Sequence, residues 1–373
     1  MKLALILFSA LLLSPKAQAG ATLLEKIQGI PLGYGAATTG GCTDAQCLCQ
    51  VTNTKDSGPG SLRDCVAGDK SKWVVFKGEG RGEIKVKGPI LVGSNTTIDG
   101  RGPGAVTISS TDQELMFIRG SSNVIVSDLK FHVDHASTKC SNPQTAIDTK
   151  DCGGGIMIFD GSRNVWINQS SFDSCTGKCI AVWAFGNSIN STGKAQGGDL
   201  ISISGNVFRN SYYGVLAGAD HNIGDRQKPI DRVTLYLNYF EDITKRSPRV
   251  SEFSHLHAFN NVMRNWGANN CNDEKDEAFA ASTASGAQLL LESNWFEARP
   301  GAGSCKQAVN LEGGSVRAAG NDMKNGAKVA QNQPTRVFNP TYQDGRKPMT
   351  TALRNKIMKN TGPRLGGPVT TLP

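Results

Sequence analysis

A recurring pair constrains this chain most: an asparagine closing an apolar run, then a large apolar side chain two residues on. Asn206 precedes Phe208, Asn238 precedes Phe240, Asn261 precedes Met263, and Asn294 precedes Phe296. The runs before them, such as Leu200-Ile201-Ser202-Ile203, Val233-Thr234-Leu235-Tyr236 and Leu289-Leu290-Leu291, read as short strands. Residues 124–131 and 165–172 have the same look of two strands and a bend. Such a unit, repeated, is the mark of a solenoid, in which each coil buries its inner face only by stacking on the next. At a strand spacing of about 4.8 Å, amides stacked at one bend can hydrogen-bond to each other as a ladder. A β-sandwich with asparagine turns is the rival, but it spaces its turns more evenly and joins strands through hairpin dipeptides. With 43 glycines, only 19% charged residues and few helix-period segments, one large all-β domain fits better than two ordinary ones.

The first nineteen residues stand apart. Lys2 precedes an apolar run over residues 3–13, and Ala17-Gln18-Ala19 supplies the small residues of a cleavage site. The run is too short for a membrane span, so residues 1–19 are expected to be a secretory signal peptide and 20–373 the exported domain. Losing Lys2 and Lys16 lowers the net charge from +8 to +6. A mildly basic exported protein suits an acidic polysaccharide. It lacks the Lys/Arg stripe of a nucleic-acid binder. No membrane partner is expected, and the chain is expected to act as a monomer.

Ten cysteines in an exported chain imply disulfides: Cys42, Cys47, Cys49, Cys65, Cys140, Cys152, Cys175, Cys179, Cys271 and Cys305. The close set from Cys42 to Cys49 suggests zinc in isolation, but no matching distal Cys/His pair accompanies it. Cys140–Cys152 and Cys271–Cys305 are the preferred pairs, each closing a local loop, although sequence leaves the connectivity open.

The functional focus is Lys245-Arg246-Ser247-Pro248-Arg249-Val250-Ser251, followed by the strand-like His255-Leu256-His257-Ala258-Phe259-Asn260-Asn261. Pro248 biases Ser247 to an extended conformation, so Arg246 and Arg249 make a clamp for an acidic ligand. On spacing alone an exposed basic loop is the first alternative. The context shifts the balance, because the segment resembles polysaccharide lyase family 1, the pectate and pectin lyases. There an R-x-P-x-x-R segment precedes an H-x-x-N-N strand. Gly33-Tyr34-Gly35-Ala36, Asp56-Ser57-Gly58-Pro59-Gly60-Ser61-Leu62-Arg63, Ser94-Asn95-Thr96-Thr97-Ile98-Asp99-Gly100-Arg101-Gly102 and Leu291-Glu292-Ser293-Asn294-Trp295-Phe296-Glu297 resemble further family elements in the family's order. The resemblance spans roughly residues 33–297. It implies a single-stranded right-handed parallel β-helix, with side loops that form a polysaccharide cleft and short capping helices. Residues beyond about 300 are expected as a C-terminal extension of polar loops, with a short helix over 352–359 capped by Thr350 or Thr351 and packed on the exterior or end.

The same resemblance implies β-elimination on 1,4-linked galacturonan. A proton leaves C5, the C4–O4 bond breaks, and a 4,5-unsaturated product forms. Arg246 matches the family's proton-abstracting arginine. The second arginine of the motif falls on Ser251, a departure that pectin lyases share. Calcium-dependent members carry acids at positions matching Asn168, Gly177 and Ala181, and this chain offers no carboxylate at any of them. Calcium prefers several hard, charged oxygens, so no cofactor is expected. Lys178 stands where pectin lyases carry a basic residue in place of calcium. Trp183 and Tyr213 match lysines that grip pectate carboxylates, and aromatic rings there suit a neutral methyl ester. Core filling is the plain alternative for each ring. Arg249 is a further substrate-binding candidate, with a solvated surface position equally open.

These readings place the chain nearer the pectin lyases, acting on methyl-esterified galacturonan without calcium. Two alternatives stay open: a calcium-dependent pectate lyase with unrecognised ligands, and a non-catalytic galacturonan-binding protein on the same fold. A guanidinium normally stays protonated, so Arg246 acts either through a neutral fraction or as an electrostatic stabiliser of the enolate. His257 reads as a structural hydrogen-bonding residue.

Overall fold

The computed structural model describes residues 31–42, 45–134, 153–184, 197–219, 231–267, 278–284, 286–301, 306–332, 337–342 and 344–365. Strands of two to seven residues, and one of thirteen, alternate with sharp bends, and every ladder pairing between successive coils is parallel. One sheet stacks ten strands in chain order: Leu48–Val51, Lys72–Phe76, Thr96–Asp99, Ser122–Ser127, Arg163–Asn168, Asp199–Ser204, Arg232–Tyr236, His255–Phe259, Gln288–Glu292 and Ser315–Ala319. A second, sixteen-stranded sheet consists of two rows joined by the long strand Val207–Ala219. Each coil thus gives one strand to each of three walls, which is a parallel β-helix as the repeat predicts.

Alternation decides what faces inward. Ile201 and Ile203, Val233 and Leu235, Leu256 and Ala258, and Leu289 and Leu291 are fully buried and stack coil upon coil. Behind the bend, Phe131, Phe172, Phe208 and Phe240 form a column of parallel rings with centroids 4.8, 5.0 and 4.5 Å apart. Burying each such side chain stabilises the stack by about 1.5–3 kcal/mol relative to leaving it exposed.

The bend itself explains the asparagines. Gln169, Gly205, Leu237, Asn260, Ser293 and Gly320 all adopt positive φ, each directly before a ladder position. That left-handed residue turns the chain out of the first sheet and leaves backbone groups without a strand partner. The next side chain satisfies them. Asn206 Nδ2 donates to Asn238 Oδ1 (3.1 Å), Asn238 to Asn261 (2.9 Å), Asn261 to Asn294 (3.0 Å) and Asn294 to Asn321 (3.0 Å). Each Oδ1 also accepts the backbone N–H of the preceding ladder residue, as Asn261 Oδ1 does from Asn238 N (3.0 Å). Ser170 begins the ladder, its N–H donating to Asn206 Oδ1 (2.8 Å).

Asn321 was not anticipated, and it corrects the expectation of polar loops after Phe296. Val309–Glu312, Ser315–Ala319 and Asp322–Lys324 add a further coil. Its strands read as polar because a terminal coil has a neighbour on one side only.

The helix Leu62–Val66, with Ser61 Oγ accepting from the Asp64 N–H (3.2 Å), places Leu62, Cys65 and Val66 in the core. The helix Thr351–Asn360 is capped by Thr350, whose Oγ1 accepts from the Leu353 N–H (3.1 Å). Its Ile357 packs with Val207, Tyr239, Val262 and Trp295 on the outer face of the solenoid. Cys42–Cys47 and Cys49–Cys65 are disulfides, which answers the zinc alternative for that cluster. Cys175 and Cys179, counted with the bridging cysteines from sequence, are buried thiols. Cys140, Cys152, Cys271 and Cys305 lie outside the described residues, as does the segment read as a signal peptide. Among the described residues no helix is long and apolar enough to cross a membrane.

Candidate active site

The candidate residues meet on the outer face of the wall made by Met116–Arg119, Ile156–Phe159, Lys178–Ala184, the second half of Val207–Ala219, Arg249–Val250, Ala281–Ala284 and Val309–Glu312. Ile180 and Val182 point into the core, whereas Lys178 and Trp183 remain half-exposed outside. Parallel pairing sets Lys178 beside Tyr213 and Tyr213 beside Lys245. Ala181 pairs with Leu216, and Leu216 with Arg249.

Arg246 leaves the strand Tyr239–Lys245 with φ of 66°. Its carbonyl accepts the Val215 N–H (2.6 Å), and the next N–H, of Ser247, donates to Ala280 O (2.6 Å). The Ser247–Pro248 peptide is cis. A backbone pinned on both sides aims the side chain across the wall, where the guanidinium carbon sits 3.9 Å over the centroid of the Tyr213 ring. Burial pulls the Arg246 pKa below the usual guanidinium value; the neighbouring Arg249 acts in the same direction, and Tyr213 opposes it. Arg249 is held by Glu312, Nη1 to Oε2 at 2.6 Å, and Asn310 Nδ2 steadies the other carboxylate oxygen at 2.8 Å. Lys245 Nζ lies 5.4 Å over the Tyr212 ring.

Arg246, Arg249, Lys178, Tyr213 and Trp183 are therefore brought to one wall, and two readings change. Tyr213 is only 9% exposed and its face is covered by Arg246, so it supports the arginine rather than offering an open sugar platform. Asn168 is not grouped with Gly177 and Ala181. It ends a strand of the first sheet, buried, with Oδ1 accepting from Ser204 Oγ (2.9 Å). Between Asn168 and Gly177 the chain crosses the strand Ser171–Asp173 and turns onto another wall.

What lines the wall beside Lys178 was not read from sequence. Gly177 N–H donates to Gly153 O (2.9 Å), Gly155 N–H to Lys178 O (3.1 Å) and Leu115 N–H to Gly154 O (3.0 Å). A Cβ on Gly154 would lie 2.5 Å from Glu114 Oε2 and 2.4 Å from the Lys178 carbonyl, so only glycine lets Glu114 fold over this place. Burial pushes Glu114 up to about 7, against the opposing pull of the Lys178 charge and the Gly154 N–H. The run Gly153-Gly154-Gly155 was the available signal, since three glycines in a strand-rich chain announce a close approach. One carboxylate beside an ammonium, over glycine and alanine, is not a donor set for a hard dication.

A separate group of metal-ligand type lies on the first sheet. His257 Nε2 is 3.0 Å from Glu292 Oε2 and 4.0 Å from Asp344 Oδ2, and its Nδ1 is 2.9 Å from the Tyr342 hydroxyl. The Arg346 guanidinium already pairs with both carboxylates, so the cation of this group is built in. Burial is the main cause that drops His257 to about 4, leaving it neutral. The reading of His257 as a structural hydrogen-bonding residue agrees with this network.

The sequence profile described as pectate lyase matches residues 79–364. A pectate lyase of Nicotiana tabacum is 28% identical over 284 residues, covering 73% of this chain and 63% of the relative. Pectate lyase 1 of Cryptomeria japonica is 27% identical over 282 residues, covering 73% and 67%. The chain spans about half to two-thirds of the length of the first of these curated relatives. Among solved structures, the cedar pollen major allergen Jun a 1 superposes with a TM-score of 0.67 at 23% identity over 89% of this chain and 92% of that one. A pectate lyase from Bacillus sp. N165 in complex with trigalacturonate gives 0.58 at 18% identity over 90% and 99%. These structural likenesses agree with the parallel β-helix, and with a family profile extending over most of its length the chain belongs to the pectate lyase family.

Proposed function

We propose that the chain is an exported pectinolytic lyase that cleaves methyl-esterified 1,4-linked galacturonan by β-elimination without calcium. The charge of the cleft carries this reading. Arg246, Arg249 and Lys178 supply cations, Gly177 and Ala181 stand where calcium-dependent relatives have acids, and Glu114 and Glu312 add negative charge to the same wall. Removing the C5 proton beside a free carboxylate builds a dianion, whereas beside a methyl ester it builds a monoanion. A wall that shows no metal donor set among its described residues, and carries its own carboxylates, suits the second case better.

Arg246 is the residue for the chemical step. The proton leaves C5, the electron pair forms the C4–C5 double bond, and O4 departs with its bond pair to take a proton from water. The ring beneath Arg246 favours the cation, which stabilises the enolate oxygen as charge develops. Burial and Arg249 favour the neutral guanidine, which accepts the proton. Tyr213 positions the guanidinium, Arg249 and Lys178 bind substrate oxygens, and half-exposed Trp183 supplies a sugar-stacking face.

The second reading is a calcium-dependent pectate lyase, favoured by the names of the relatives. One assay separates the two: release of unsaturated product from high-ester pectin and from polygalacturonate in parallel, each with and without chelator. Chelator-insensitive cleavage of the ester is expected, with slow or no cleavage of polygalacturonate. Polygalacturonate cleavage abolished by chelator would overturn the proposal, and no product from either substrate would leave a non-catalytic galacturonan-binding protein.

A further inference from the structure

Glu114 has no counterpart in the chemistry just described, yet it occupies the wall beside Lys178. Successive coils place Glu114, Gly154 and Lys178 on three adjacent rungs, through Leu115 N–H to Gly154 O and Gly155 N–H to Lys178 O. The middle rung carries no side chain, so the carboxylate lies across it, bonded to the Gly154 N–H and facing the lysine. Around them lie backbone and small buried residues, Gly153, Gly177 and Ala181, while Glu114 and Lys178 keep part of their side chains accessible. A sugar unit resting there meets one carboxylate and one ammonium at its edges.

We propose that Glu114 is a specificity-determining residue of this cleft: its carboxylate keeps unesterified uronate off the surface beside Lys178 while leaving room for the neutral methyl ester. The inference rests on the reading of this wall as a galacturonan cleft. A substrate carboxylate on that surface would face Glu114 at a distance on the order of two rungs, about 10 Å. At an effective dielectric of about 20 and physiological ionic strength, repulsion over that distance disfavours the acid about twofold. Lys178 offsets it, which is why the pair discriminates instead of excluding all substrate. Lys178 is the charged group that bears on Glu114, and the Gly154 N–H is its hydrogen-bond donor. Because Glu114 titrates near 7, discrimination is expected to be full above that pH and to fade below it, as the carboxylate takes up a proton.

The test measures affinity, so it does not depend on catalysis. Calorimetry compares a de-esterified oligogalacturonide with its methyl ester on the wild-type protein and on Glu114→Gln, at about pH 8 and about pH 5.5, either side of that midpoint. Gln keeps an oxygen for the Gly154 N–H, and thermal unfolding checks that the fold is retained. The expected result is an about twofold gain in affinity for the free acid at the higher pH in Glu114→Gln, no change for the ester, and coincidence of the two proteins at the lower pH. An unchanged acid-to-ester ratio, or an equal gain at both pH values, overturns the inference. Lys178→Met removes the charge that lowers the Glu114 midpoint, so the pH dependence must move upward, and a fixed midpoint also refutes it. Binding with the predicted ratios but no product points to failure of the lyase reading alone, whereas binding of neither ligand overturns both.

Discussion

Replacing Arg246 with lysine tests the centre of the cleft, and its size can be worked from the contacts. The guanidinium stacks 3.9 Å above the Tyr213 ring, while its own carbonyl is tied to Val215. Lysine keeps the charge but loses the planar fork that stacks on the ring and presents two donors to one oxygen. Removing one well-placed donor to a developing oxyanion costs about 3–4 kcal/mol, or about two to three orders of magnitude in kcat. The ring contributes less: a cation–π contact is worth about 0.5–2 kcal/mol, so Tyr213→Leu is expected to lower kcat by about 2- to 30-fold. Since Tyr213 acts through Arg246, the two losses must not add. In an Arg246→Lys background, Tyr213→Leu is expected to change kcat by less than about threefold. The assay is initial-rate absorbance of unsaturated product on saturating high-ester pectin, with circular dichroism confirming the fold. A folded Arg246→Lys protein with near wild-type kcat would show that the wrong residue has been chosen, and strictly additive losses would show that Tyr213 meets substrate directly.

Two further outcomes concern the scaffold. Asn238→Ala removes donors to Asn261 Oδ1, Ile203 O and Tyr236 O and the acceptor for Asn206, so it is expected to cost about 2–5 kcal/mol in denaturant unfolding; a loss below about 1 kcal/mol would demote the ladder to decoration. His257 has a folded pKa of about 4, below its ordinary 6.5, so its neutral form stabilises the fold above pH 6.5 and that contribution drains away as the pH falls toward 4. The loss reaches about 3 kcal/mol, and His257→Asn should flatten the fall in unfolding midpoint between these limits; parallel curves for the two proteins would refute it.

The parts legible in the sequence were those where one side chain has one structural duty repeated in register. Asn206, Asn238, Asn261 and Asn294 announced the ladder because a left-handed bend leaves the same backbone groups open in every coil. Asn321 escaped notice because its coil is short and polar and has a neighbour on one side only. Arg246 was singled out through the motif around it. Glu114 was not, since 64 residues separate it from Lys178 and only the stacking of coils brings them together. Asn168 was grouped wrongly for the converse reason. Nine residues from Gly177 in sequence, it is a wall away in space, because each coil turns twice in that length. Tyr213 was read as a substrate-facing ring with core filling as the alternative; the cation that covers it comes from 33 residues further on.

Why the fold and the cleft chemistry can part company follows from strand alternation. On Lys178–Ala184 the core receives Cys179, Ile180 and Val182, while Ala181, although buried, does not join it and Trp183 stays half-exposed. On the second half of Val207–Ala219, Val215 and Ala217 face in, and Leu216 and Gly218 do not join the core. Ala181 pairs with Met157 and Leu216 through main-chain bonds that an aspartate would make equally well. Gly177 holds Gly153 through its N–H, which every residue but proline possesses. Exchanging outward acids for glycine or alanine therefore costs the stack almost nothing, whereas exchanging Asn238 or Phe240 would break contacts on both sides. Likeness of fold at 23% identity accordingly reports on the inward positions. On the proposed function, preference between ester and acid lies in the outward charges, and Glu114, Lys178, Arg246, Arg249 and Glu312 can be changed one at a time to test it.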